Sequence, residues 1–262
     1  MPIALTAGQL EGLVSQGFFP FVRVGSCLMV APMFGARFVP TRTRVLLAAA
    51  ITALVAPLLP DTGIAPFTPQ AFVVVVQQLL IGVALGFAMQ VVFDAMGLAG
   101  QLLANSMGLS FAFNVDPLRG SSTAALGQLY IILATLTFLA LGGHLALVEL
   151  LVNGFTTLPV STEGLGREGL WAMVLWGGTL FSGAISVALP GVTALLIVNL
   201  AFGVVSRAAP SLNLFAVGFP ISLVVGLLVV LAGIGPLQGA VAQLLAQAFD
   251  FLRSLSHSGG GA

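Results

Sequence analysis

Charged residues fall along this chain as punctuation between long apolar runs. Residues 45–60, 62–93, 95–115, 120–148, 169–206 and 208–249 contain no Asp, Glu, Lys or Arg. Ending each run at its breakers and polar clusters leaves six hydrophobic segments, about 13–33, 44–60, 70–93, 123–152, 170–203 and 212–234. The second is short for a membrane crossing, and the fifth is long and interrupted by Pro190-Gly191. The third carries the β-branched run Val73 to Val76, which would favour a strand in water. A lipid-embedded backbone must pair within its own segment, so a helix is expected there as well. Beyond Pro236 the pattern becomes amphipathic. Leu237, Val241, Leu244, Leu245, Ala248 and Leu252 share one helical face, with Gln243, Gln247, Asp250 and Ser254 opposite. A helix over 237–254 with Arg253 as its one cation suits packing on a partner better than lying on lipid, where a basic polar face is usual. Residues 255–262, ending in SHSGGGA, read as a disordered tail.

Composition turns this pattern into a fold class. Of 262 residues 58% are hydrophobic and 6% charged. A soluble domain carries about 25% charged residues, so this chain could not cover its own surface in water. An all-α membrane protein of about six long apolar helices is expected. Eight Arg, no Lys and eight acids leave no net charge, no basic run for nucleic acid and no acidic tail. The lone Cys27 excludes an internal disulfide and a multi-cysteine metal site. With Arg23 as its first basic residue, the N-terminus lacks the charged region of a cleavable signal and should be retained. Arg37, Arg42 and Arg44 place the first loop on the cytoplasmic side, and the Asp61 loop then lies outside. Alternation puts Arg119 and Arg207 inside and Arg167 outside. Gly82 and Gly86 are spaced G-x-x-x-G, as are Gly235 and Gly239, and Gly97 and Gly100 follow. Such spacing permits close helix approach, although glycine is common in membrane helices generally.

No enzyme constellation emerges. The chain has no H-E-x-x-H, G-x-S-x-G or G-x-x-x-x-G-K-[ST] motif. His144 and Glu149 are five apart, off the helical face a metal pair would share, so a locally paired histidine is expected. Neither a metal, a cofactor nor a catalytic residue is called for. The ionisable groups at membrane depth, Arg23, Asp94 and Arg207, suit either ion coupling in a secondary transporter or pairing between helices or subunits. Pairing is preferred, because the Pro190 break has no carboxylate nearby. The stretch GLAGQLLANSMGLSFAFNVDPLRGSSTAA, from Gly97, is too polar and Gly-rich for a plain helix and reads as an irregular connection. Its centre, Met107 to Phe113, is nonetheless strongly apolar, and Asp116-Pro117 turns the chain. Such a loop must be buried in protein. A hydrophobic seal across a pore and a packed re-entrant loop satisfy these residues equally.

Several stretches in order resemble one family. Arg23, then Ala31-Pro32-Met33-Phe34-Gly35, Val39-Pro40 and Arg44, resembles the start of FliR-type flagellar export proteins. GLSFAFNVDP at 108–117 resembles their central loop. Val198-Asn199-Leu200, Gly203, Arg207, Pro210, Asn213, Phe215 and Gly218-Phe219-Pro220 resemble their most distinctive block. The resemblance implies a non-enzymatic subunit of the type III export gate in the bacterial inner membrane, within the flagellar basal body. Its implied partners are P-type and Q-type gate subunits, the B-type and A-type export proteins, and unfolded flagellar substrates. It implies one integral domain over 1–254, with a P-like part over about 1–169. A Q-like hairpin with the C-terminal amphipathic helix would then occupy about 170–254. The family's gate is tilted and partly raised above the membrane, so strict alternation of the loops should fail in detail. The central loop would plug the closed pore through Met107, Leu109, Phe111, Phe113, Asp116 and Pro117. Subunit or interhelix contacts would come from Arg23, Arg44, Asp94, Arg207, Pro210, Asn213, Phe215 and Pro220. The competing expectation is a small-solute secondary transporter coupled through Asp94 and Arg23.

Overall fold

The computed structural model describes residues 7–36, 39–60, 63–66, 68–109, 125–208 and 214–258. Among them every regular element is helical: α1 (Ala7–Val30), α2 (Thr41–Val55, continued by a 3-10 turn to Leu58), α3 (Pro69–Ser106), α4 (Ala125–Ala140), α5 (Gly143–Thr157), α6 (Arg167–Trp176), α7 (Thr179–Ala208) and α8 (Leu214–Ser258). Four stretches among the described residues are long and apolar enough to cross a membrane: Thr41–Leu58, Pro69–Ser106, Arg167–Ala208 and Gly218–Ser256. The bent pair α4–α5 makes a fifth if taken as one span. The chain is an all-α membrane protein.

The helix ends differ from expectation in four places. The irregular connection does not begin at Gly97, because α3 stays helical to Ser106. Its glycines serve contact. A Cβ at Gly100 would lie 2.5 Å from the Leu126 carbonyl oxygen, and one at Gly127 would lie 2.9 Å from that of Gly97. Segment four is two helices bent by 66°, with Gly142 left-handed at φ +69°. That turn suits glycine because no Cβ opposes it. Segment five breaks at Gly177-Gly178, between α6 and α7, while Pro190 stays inside α7. The last apolar segment runs unbroken through Pro236 to Ser258, past the expected end of the ordered chain at 254. Leu255 is buried and prolongs the apolar face. All six apolar residues expected on that face are buried, and the four polar ones opposite are exposed.

The chain divides into two compact units. The first comprises 1–90, 142–177 and 247–262; the second comprises 91–141 and 178–246. In the first unit Phe19, Ala71 and Val74 form a buried cluster, with Ile64, Val75 and Val160 packed on it. Trp176 stacks on Phe251 at 4.6 Å between ring centroids and donates from Nε1 to the Ala88 carbonyl at 3.0 Å. The expected Gly82/Gly86 pair brings α3 onto α1. A Cβ at Gly82 would run into the Arg23 carbonyl and the Ser26 hydroxyl, and one at Gly86 would come within 2.7 Å of the Cys27 carbonyl oxygen. In the second unit Phe93 meets Phe138 edge to face at 5.6 Å, and Gly183 lies against Ala95 and Leu244.

Gly86→Ala should therefore destabilise the protein by about 1–3 kcal/mol, the usual range for overpacking. Gly25→Ala on α1, where a Cβ meets nothing within 4 Å, should stabilise it by up to about 1 kcal/mol through helix propensity. Unfolding in mixed micelles checks both. Equal shifts of one sign would disprove the close-approach account.

Candidate functional site

Two places gather the polar and special residues singled out in the sequence. The first is Arg23, fully buried in the first unit. Its Nε donates to Gln78 Oε1 at 2.7 Å, Nη1 to the Gly154 carbonyl at 3.1 Å and Nη2 to the Leu158 carbonyl at 2.8 Å. The Phe155 ring lies 4.2 Å from the guanidinium carbon. Arg23 thus joins α1 to α3 and to the C-terminal end of α5. That end carries the negative pole of the helix dipole; its Gly154 carbonyl already accepts from the Leu158 N–H at 2.9 Å, and a planar cation with several donors adds a second bond there while meeting the Leu158 carbonyl. Its partners are a neutral amide, two carbonyls and a ring, none of which titrates near neutral pH. The structure makes the interhelix contact of Arg23 explicit. Gln78 and the 154–158 carbonyls were not anticipated, since backbone acceptors leave no mark in sequence.

The second place is the end of α3, which a closed backbone motif terminates. Leu109 N–H donates to the Ala104 carbonyl and Gly108 N–H to that of Asn105, each at 3.0 Å, with Gly108 at φ +80°. This is a Schellman cap, and Met-Gly-Leu after an apolar run is its sequence mark. Met107, at 1% exposure, lies in the core of the second unit. A Cβ on Gly226 would collide with the Met107 side chain, so only glycine leaves room for it. Gly108 faces the Phe219 ring, and Leu109 is half-buried. The other loop residues predicted to plug, Phe111, Phe113, Asp116 and Pro117, lie outside the described residues.

The remaining predicted contacts are scattered. Arg44 folds back from α2 onto the Ala36 and Val39 carbonyls, the latter at 3.0 Å, and so stitches its own preceding loop. Asp94 stands on an exposed face of α3, and Arg207 is exposed in the last turn of α7. Pro220 is exposed inside α8. Pro210 and Asn213 lie outside the described residues, and for Phe215 only the helical backbone is described. No group of three His, Cys, Asp or Glu among the described residues could hold a metal. A groove of about 170 Å3 in the first unit is lined by Glu149, Asn153, Thr157, Arg253 and Ser256. Its Arg253 reaches Asp250 at 3.4 Å, and its Ser256 hydroxyl donates to a backbone carbonyl, leaving no activated nucleophile.

Arg23→Met should strand Gln78 Oε1 and the Leu158 carbonyl, at a cost of about 3 kcal/mol or more. Arg23→Lys should fall between, keeping the charge but losing the fork. Thermal unfolding in detergent reads the series, and wild-type stability of Arg23→Met would discard the capping role.

Residues 14–248 match the family model described as bacterial export proteins, family 1. Flagellar biosynthetic protein FliR of Pectobacterium carotovorum subsp. carotovorum is 40% identical over 243 residues, covering 92% of this chain and 93% of that protein. FliR of Escherichia coli (strain K12) is 40% identical over 225 residues, 86% of each. FliR of Bacillus subtilis (strain 168) is 24% identical over 238 residues, 90% of this chain and 92% of that one. With nearly its whole length matched to that family, and its helices long and apolar enough to cross a membrane, the chain belongs to the family 1 bacterial export proteins.

Proposed function

We propose that this chain is a non-enzymatic pore subunit of the flagellar type III export gate. It works in the bacterial inner membrane within the flagellar basal body, assembled with P-type and Q-type subunits. B-type and A-type export proteins act with it, and unfolded flagellar proteins pass through the assembly. The observation that carries this reading is the family match over 14–248, together with relatives named for flagellar biosynthesis over most of their length. The exposed apolar surface supports it. Only 17% of the most apolar window in Arg167–Ala208 is buried within the chain, which leaves broad faces for lipid and for other subunits.

The plug extends this reading. The Schellman cap ends α3 and re-aims the backbone at Gly108, while Met107 is held in the core by the space over Gly226. Met107 then acts as the anchor of the plug, and Phe111 and Phe113 as its sealing side chains. Hydrophobic side chains seal a passage by excluding water, with no charge to move. A transporter coupled through Arg23 has less support, because that guanidinium is enclosed among groups that do not titrate.

Shortening residues 110–117 while keeping Met107 should make resting cells leak ions and small molecules. Tightness equal to the parent would discard the plug. Asp94→Asn should weaken assembly without abolishing export. Failure to co-purify with P-type and Q-type partners would discard the gate reading itself.

A further inference from the structure

The groove between α5 and the last turns of α8, in the first unit, gathers polar groups that the proposed function does not use. Glu149, Asn153 and Thr157 follow one another at intervals of four on α5, so they form one line roughly 12 Å long. Arg253 and Ser256 line the same groove from α8, with Phe249 beside them. Among the described residues neither the Glu149 carboxylate nor the Asn153 amide has a partner, and Thr157 Oγ1 is buried without one. Arg253 directs one N–H to Asp250 at 3.4 Å, leaving its other donors unused. A carboxylate and a guanidinium thus share a groove of about 170 Å3 without meeting. Two long charge-free runs also end here, 120–148 at Glu149 and 208–249 at Asp250. Charge is costly in hydrocarbon, so its return along a membrane helix marks the headgroup level. Trp176, stacked on Phe251 of the same stretch, suits that level, where indole rings collect.

We infer that this groove binds the headgroup of a zwitterionic phospholipid carrying a primary ammonium, that is, phosphoethanolamine on a diacyl chain. Charge complementarity selects it. The phosphate takes donors from Arg253 and the Thr157 hydroxyl, while the ammonium gives its protons to the Glu149 carboxylate and the Asn153 side-chain oxygen. A quaternary choline has no N–H to offer those acceptors. A glycerol headgroup brings a negative charge without a cation and leaves Glu149 unpaired. The line on α5 continues to Leu145, four residues before Glu149 and about two-thirds exposed, inside the charge-free run. Acyl chains therefore have an apolar track out of the groove, which a free zwitterion would not use. The site is read from α5 and α8 alone and stands apart from the proposed export role.

Native mass spectrometry of the full chain, with any subunits that accompany it in mild detergent, tests this against three added lipids. Dioleoyl phosphatidylethanolamine, phosphatidylcholine and phosphatidylglycerol are supplied at equal concentration. The ethanolamine lipid should be retained about fivefold better than the others, the scale of one partly exposed ionic contact. Glu149→Gln should bring it within about twofold of the choline lipid. Arg253→Gln, which removes the shared phosphate partner, should lower the ethanolamine and choline lipids alike, by about threefold. Both side chains are exposed, and adducts are counted on folded protein, so a poorly folded variant cannot imitate lost binding. In cells, a photo-crosslinking residue at position 146, which lines the groove, should yield an ethanolamine phospholipid adduct. Equal retention of the three lipids by the parent, a preference that survives Glu149→Gln, or unchanged retention in Arg253→Gln would overturn the inference. So would a protein adduct at position 146 in place of lipid, or equally tight binding of soluble glycerophosphoethanolamine.

Discussion

An apolar environment supplies no water to backbone amides and carbonyls, and most local features of this protein follow from that constraint. Within a helix the backbone pairs itself; the difficulty is concentrated at helix ends. Two ends show how the chain resolves it. At the end of α3, Gly108 takes a left-handed conformation that returns two amides to the last carbonyls. At the end of α5 the carbonyls of Gly154 and Leu158 are met by the guanidinium of Arg23 from another helix. The first solution is local and needs only a glycine. The second requires three helices to be in place, so one residue carries both a cap and a tertiary fastening.

Glycine carries the other half of the design. In water a glycine inside a helix costs about 1 kcal/mol relative to alanine. Here Gly82, Gly86, Gly97 and Gly100 lie within the long helix α3 without ending it. Gly82 and Gly86 lie against the backbone of α1 in one unit; in the other, Gly100 lies against the backbone of α4 and Gly97 against its Ile131 side chain. Removing a side chain lets two helices approach until backbone meets backbone, and the dispersion attraction between them, summed over several turns, outweighs the propensity lost.

These features favour a protein built for an assembly. The interior holds a cation with uncharged partners, and α7 leaves large apolar side chains exposed beside one amide, one glycine and one arginine. A Schellman cap with a buried methionine at its base fixes the point at which the chain leaves α3.

The alternation of apolar and charged runs was enough to specify an all-α membrane chain and the buried face of the C-terminal helix. These depend on composition and on the 3.6-residue period, which every residue reports directly. The loop motif and the Asn199 to Pro220 block were enough to suggest the family. Breaks were legible only in part: Gly97 and Pro190 looked like ends and were not, whereas Gly142 and Gly177 were. A glycine is a break or a close contact according to what stands opposite it, and that belongs to another helix. For the same reason only the tertiary structure paired Arg23 with Gln78 and two carbonyls more than 130 positions away, and set Met107 over Gly226. Periodicity along one helix determines which face is apolar; the partner that covers it is decided by packing, where shape and backbone acceptors carry no sequence signature.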